Sequence, residues 1–244
     1  MKGNRQLIKI DTRGCYQYYP GVAVIANLYN NNMALCHLLH ERLSENKQIC
    51  RYYSPLPASS YHMTAMSVCN AKLNGGGDWE KFVADKIPFF RQIHQRVQES
   101  SFSPEISINS FRTRSVIQGI FSMPDLQKDL IMSLASELGL LEESFFMPHV
   151  TFAYQYRAVE SELSELIEEE INKTLWSVFN EYNGPYDLDP LRLCYYDDMC
   201  AFITWNAECN PFISVSRSHD SFFDQNWPRL GADSSERQYS AYRK

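Results

Sequence analysis

Two short stretches share a pattern with chemical consequences: Ser60-Tyr-His62-Met-Thr64 and Met147-Pro-His149-Val-Thr151. In each, a histidine and a threonine stand two residues apart in a segment of strand-like composition. Alternate residues of a strand share a face, so each motif presents an imidazole and a hydroxyl side by side, roughly 7 Å apart. Brought to one cleft, two such pairs suffice for phosphodiester cleavage. A neutral histidine takes the proton of an attacking hydroxyl or water, and a protonated one donates to the leaving oxygen. The threonine hydroxyls bind the non-bridging phosphoryl oxygens. This assigns His62 and His149 as catalytic and Thr64 and Thr151 as phosphate-binding, with no metal and no cofactor. The expected rate profile is a bell with both limbs between about pH 5 and 8. One His-x-Thr arises easily by chance; two at similar points of two similar halves do not.

Other residues carry weaker signals. Tyr52, Tyr53, Tyr154 and Tyr156 flank the motif strands and offer rings for stacking on a base, with Tyr53 and Tyr154 the candidate substrate contacts. Strict alternation would point Phe152, Tyr154 and Tyr156 away from the His149/Thr151 face, which favours core packing unless the strand bends. Arg112 and Arg114 precede a strand, and Arg114 is a candidate source of positive charge for the phosphate. His37, His40, His94 and His219 favour packing or surface roles; His37 and His40 stand three apart on a helix but have no third ligand nearby for a metal. Asn74-Gly-Gly-Gly77 lacks the Lys-Ser/Thr of a phosphate loop and is expected to be a flexible connection.

The elements that must position these groups follow from periodicity. Gly21–Leu28 predicts a buried strand, and Asn31–Asn46 a helix with an asparagine cap. Ile49–Tyr53 and Tyr61–Val68 predict strands, followed by a helix over Asp78–Ser100 kinked near Pro88. The second half repeats the rhythm: strand Arg114–Phe121, helix Pro124–Leu138 closed by Gly139, strand Val150–Tyr156 and helix Glu160–Tyr182. Leu191–Tyr196 and Cys200–Trp205 predict a hairpin. Strands and helices mix without regular alternation, so the fold class is α+β. Residues 1–205 are expected to form the domain, and 206–244, polar and aromatic-rich, a tail or flap.

Composition narrows the partners. The chain has 244 residues, 44% of them hydrophobic, and a formal charge of -6 from 23 basic and 29 acidic residues. That balance argues against long duplex nucleic acid, while leaving room for a nucleotide or short oligonucleotide in a locally basic pocket. Seven cysteines occur singly, without a C-x-x-C pair, and nothing resembles a signal peptide or membrane span. The expectation is a cytoplasmic monomer without a membrane partner, and a host cytosol reached by secretion fits equally.

The paired motifs resemble the two-histidine (2H), LigT-like phosphoesterase superfamily. Three stretches resemble one uncharacterised fungal and bacterial domain family within it: Tyr19-Pro-Gly-Val-Ala-Val-Ile-Ala, Leu56-Pro-Ala-Ser-Ser-Tyr-His-Met-Thr and Pro148-His-Val-Thr-Phe-Ala-Tyr. The resemblance runs over about residues 18–205 and departs from the usual pattern in its long spacer between motifs and its tail. It implies a bilobal fold, two pseudo-twofold lobes of antiparallel sheet with outer helices around a central groove. The activity it implies is phosphodiesterase chemistry at a ribose 2′-oxygen: a 2′,3′-cyclic phosphate, a 2′,5′-oligonucleotide or a cyclic dinucleotide. The alternatives are an RNA end-processing enzyme or ligase, or a nucleotide-binding module without turnover.

Overall fold

The computed structural model describes residues 7–73, 77–140 and 146–213. Residues up to Pro211 belong to one compact unit. The expected loop at residues 74–77 falls largely outside the described residues, as does most of the expected tail and His219. Residues 206–211 still belong to the body: Ala207 is buried, the Cys209 carbonyl accepts the Trp205 indole N–H, and Asn210 donates to the Glu80 carbonyl.

The apolar, β-branched run after Pro20 forms β1 (Gly21–Asn27), followed by helix α1 (Met33–Glu45). Then come β2 (Tyr53–Pro55), β3 (His62–Asn70) and the long helix α2 (Trp79–Ser100). The second half runs β4 (Glu105–Thr113), β5 (Val116–Ser122), α3 (Asp125–Glu137), β6 (His149–Gln155) and α4 (Ser164–Glu181). Short strands β7 (Tyr186–Asp187), β8 (Arg192–Tyr196) and β9 (Ile203–Thr204) close the chain.

Among the described residues the strands make one curled antiparallel sheet in the order β7-β4-β5-β6-β3-β1-β8-β9, with β2 also paired to β6. The mixed α+β architecture is the one expected. Two quartets, β7-β4-β5-β6 and β3-β1-β8-β9, meet at a seam between β6 and β3. A single residue pair, Met63 opposite Val150, bridges that seam. Both side chains are fully buried on the helix side of the sheet.

Helix stripes at 3.6-residue spacing cover that side: Leu35, Cys36, Leu39 and Leu43 of α1, and Ile167, Ile171, Leu175, Val178 and Phe179 of α4. Phe179 gathers Phe152, Phe121 and Tyr186 at ring separations of 5.7–6.2 Å, the range of favourable aromatic pairs. Tyr61, immediately before His62, meets Phe152 edge-on at 5.1 Å. The residue ahead of one motif thus packs on the residue behind the other.

Local differences from expectation have local causes. Ile49–Arg51 is a 3₁₀ turn rather than a strand, because Asn46 Oδ1 accepts the Gln48 and Ile49 backbone N–H groups and coils the chain. Asn32 stands at the α1 cap position, but its amide donates to the Leu28 and Asp187 carbonyls instead of capping the helix. The α2 helix continues through Pro88. Pro88 and Ala84, whose carbonyl loses its donor, both lie on the exposed face, where solvent satisfies the orphan group. Strands β4 and β7 have no counterpart in the sequence reading.

Gly119 lies opposite Val150 in the β5–β6 ladder. A Cβ there would stand 2.7 Å from the Phe121 ring and 3.1 Å from the Phe152 ring. Neither ring can retreat, since both pack on Phe179. Gly119→Ala is therefore expected to lower stability by about 1–3 kcal/mol, the usual cost of overpacking; urea unfolding followed by circular dichroism checks it, and an unchanged midpoint would show that this wall of the core is soft.

Candidate active site

The seam fixes which face each motif shows. With Met63 and Val150 pointing into the core, His62, Thr64, His149 and Thr151 point to the opposite, groove face. Antiparallel pairing places Met63's neighbours against Val150's neighbours, so His62 lies across from Thr151 and Thr64 across from His149. The ladders to either side extend both rows. One reads Arg112, Gln118, Thr151, His62, Asn27 from β4 to β1. The other reads Ile120, His149, Thr64, Ile25, Arg192 from β5 to β8. A pseudo-twofold axis through the seam exchanges the rows.

Each histidine is held the same way. His62 Nδ1 lies 2.7 Å from the Ser60 carbonyl, and His149 Nδ1 lies 3.0 Å from the Met147 carbonyl. A carbonyl only accepts, so Nδ1 carries the proton and Nε2 is left for a substrate. Diagonal partners across a strand pair are about 7–8 Å apart, and the two imidazoles occupy one diagonal of the quartet. The threonines occupy the other. A phosphate at the centre would have its attacking and leaving oxygens along the histidine diagonal and its non-bridging oxygens toward the hydroxyls.

Both motif strands carry a β-bulge at the residue after the threonine. Ile25 pairs with Thr64 while Val24 pairs with Met66, leaving Ala65 extra. Gln118 pairs with Thr151 while Ile117 pairs with Ala153, leaving Phe152 extra. The extra residue resets the alternation. Phe152 goes into the aromatic core, and Tyr154, opposite Val116, returns to the face of Thr151. Strict alternation had pointed Tyr154 away, and the bulge corrects this.

Tyr154 holds a cation. Lys9 Nζ donates to the Tyr154 hydroxyl at 3.2 Å and lies 5.2 Å and 5.4 Å from the Tyr154 and Tyr19 ring centres. Burial lowers the Lys9 pKa, as expected for an ammonium sheltered among rings. Gln118 Nε2 donates to Thr151 Oγ1 at 3.1 Å, which leaves the threonine hydroxyl proton free to point at an anion. Thr64 has the apolar Ile25 in the matching place. Phe202 packs on the His62 imidazole at 3.9 Å between ring centres. Lys9, Gln118 and Phe202 escaped the sequence reading. Only Gln118, a lone amide in the apolar run Val116–Phe121, left a signal there.

The two motifs are therefore unequal. Burial, chiefly, pushes the His62 pKa down to about 4, and the charges of His149 and Lys9 push the same way. The bond from His149 to the Met147 carbonyl lies at an exposed position.

The remaining sequence candidates lie elsewhere. Tyr53 is buried on the helix side, with its hydroxyl spent on the Arg114 carbonyl at 2.8 Å, so the structure does not bring it to the groove. Parity explains it: Tyr53 pairs with Gln155, one step from Tyr154. Arg114 is exposed in the turn between β4 and β5, beyond the end of the motif rows. Tyr52 and Tyr156 donate to Glu160 and the Cys50 carbonyl. His37 bonds Tyr29, His40 bonds the Leu56 carbonyl, and His94 lies on α2. No group of three or more metal-ligating side chains is found among the described residues, and no helix there is long and apolar enough to cross a membrane.

If burial against Phe202 and Lys9 sets the His62 pKa, histidine-detected NMR should show its imidazole titrating near pH 4, well below the ordinary value of about 6.5. Lys9→Met removes a positive neighbour and should move that midpoint upward. A midpoint at or above 6.5 in the unmodified protein would contradict this reading of the pocket.

Two comparisons with known proteins found similarity to this chain. A family model named 2H-phosphodiest, described as a domain of unknown function (DUF1868), matches residues 9–109, which include Lys9 and the first motif. No curated protein sequence matches the chain. Among solved structures, the fold resembles a conserved protein of unknown function from Agrobacterium tumefaciens str. C58. The TM-score is 0.64 at 14% identity, covering 81% of this chain and 89% of that one.

Proposed function

We propose that the protein is a metal-independent phosphodiesterase acting on a nucleotide at a ribose 2′-oxygen, a reading supported by the match of residues 9–109 to the 2H-phosphodiest family model. The observation that carries this reading is the quartet of His62, Thr64, His149 and Thr151 on one face, with both Nδ1 atoms tied to carbonyls. Substrates of this class are 2′,3′-cyclic phosphates, 2′,5′-linked oligonucleotides and cyclic dinucleotides.

The asymmetry of the site supports the following division of roles. His62, held neutral by burial, is the general base: its Nε2 takes the proton of water as the oxygen bonds to phosphorus. His149, as imidazolium, gives its Nε2 proton to the ribose oxygen as the old P–O bond breaks. The products are a phosphate monoester and a free hydroxyl, and one proton returned from His62 to His149 through solvent resets the pair. Thr64 and Thr151 hold the non-bridging oxygens, Gln118 orients Thr151, and Lys9 offsets charge that builds on the phosphoryl group. Substrate binding also displaces water from the groove, which strengthens each of these contacts.

A panel of 2′,3′-cyclic, 2′,5′-linked and cyclic-dinucleotide substrates, read by mass spectrometry, tests the activity. His62→Ala and His149→Ala should each lower turnover by about 10²–10⁴-fold, with the double variant little worse than the poorer single. Thr64→Ser and Thr151→Ser should keep most activity where the alanine variants lose it. Activity should persist in EDTA, because both proton transfers belong to side chains. Near-normal turnover in a folded single histidine variant would sink the proposal.

The pH dependence carries a sign. Protonating His62 removes the base, so kcat/KM should fall as pH drops through about 4, the His62 value. The acid limb thus lies below the pH 5–8 window that two ordinary histidines would give. An acid limb at 6 or above, with chemistry rate-limiting, would reverse the assignment of base and acid.

A further inference from the structure

The two rows of the groove face end in matching charges. Arg112 lies two strands out from Thr151, through Gln118. Arg192 lies two strands out from Thr64, through Ile25. With strands about 4.8 Å apart, each arginine backbone stands roughly 10 Å from its threonine, a gap that a guanidinium leaning inward shortens. Both residues are exposed. Among the described residues neither takes part in an ion pair, whereas Arg13 and Arg96 pair with acidic neighbours.

Arg192 also lines a cavity of about 150 Å³ with Asn27, Asn30, Asp189, Phe202 and Thr204. This cavity adjoins the quartet, since Phe202 is the ring against His62 and Asn27 is the β1 partner of His62. Asp189 carries the negative charge there, and its carboxylate is engaged by the Asn30 amide. An unpaired guanidinium at the edge of such a cavity is suited to an anionic ligand group outside it.

Resting on the phosphodiesterase reading above, we propose that Arg112 and Arg192 each bind a phosphate flanking the scissile one. The groove then takes a short single-stranded oligonucleotide, with one nucleotide unit running toward each lobe, in preference to a cyclic mononucleotide. The pseudo-twofold explains why one cation serves each direction: a strand crossing the seam meets the same sequence of threonine, spacer and arginine either way. It also reconciles an acidic protein with a polyanionic ligand. Lys9, held on Tyr154, and an arginine at the end of each row would supply local positive charge, and the net charge of -6 discourages longer polyanions.

The test is equilibrium binding of two phosphorothioate-linked single strands, a tetranucleotide and a dinucleotide with one linkage, to the wild type, Arg112→Gln, Arg192→Gln and the control Arg13→Gln. The proposal expects the wild type and the control to prefer the tetranucleotide. In each groove variant that preference falls about tenfold, the scale of one charge-assisted hydrogen bond. The slope of log affinity against log salt for the tetranucleotide should drop by about 0.7 per contact removed. A preference unchanged in either groove variant overturns the proposal, as does a wild type that binds both strands equally. Turnover is scored separately on unmodified strands. Arginine-dependent preference without cleavage would leave the flanking sites standing and remove the phosphodiesterase reading.

Discussion

One backbone bridge, Met63 to Val150, decides the chemistry of the groove. It is the place where the two quartets of strands join, and both of its side chains are buried in the core. Because a strand alternates faces, a slip of one residue on either strand would turn a histidine and a threonine into the apolar interior. Burial of Met63, Val150, Tyr61 and Phe152 makes that slip costly, so the hydrophobic core sets the register and the register aligns the quartet. Neighbouring rings reinforce it, since Tyr61 and Phe152 meet across the seam.

The paired bulges refine what the seam begins. Each follows a motif threonine, and each inserts one residue that the core absorbs, Ala65 on one side and Phe152 on the other. Downstream residues change faces, which is how Tyr154 comes to hold Lys9 on the groove side while Ala153 and Ile117 stay buried. Gly119 belongs to the same device, because the Phe152 and Phe121 rings occupy the volume that a side chain at residue 119 would need.

Symmetry supplies the frame, and departures from it supply direction. Equivalent positions carry Gln118 and Ile25 beside the threonines, so one hydroxyl is oriented by an amide and the other is not. Phe202 covers the His62 imidazole, and burial lowers the His62 pKa. Two chemically identical motifs thereby acquire different surroundings.

By itself the sequence determined the two His-x-Thr strands, the α+β mixture, most helix and strand positions and the apolar faces. These depend on composition and periodicity within a dozen or so neighbouring residues. Tertiary structure decided which strands are neighbours, where the bulges fall and what surrounds each imidazole. Lys9, Gln118 and Phe202 lie far apart in the chain and meet at the groove only through long-range pairing. The sequence named both Tyr53 and Tyr154 as candidate contacts, although alternation along the strand counted against Tyr154. Their fates diverged because pairing parity buries one against the helices, while a bulge invisible to local periodicity turns the other to the groove. Arg112 and Arg192 stand eighty residues apart in the sequence and become counterparts only across the seam, since pseudo-symmetry is a property of strand register and local patterning carries no record of it.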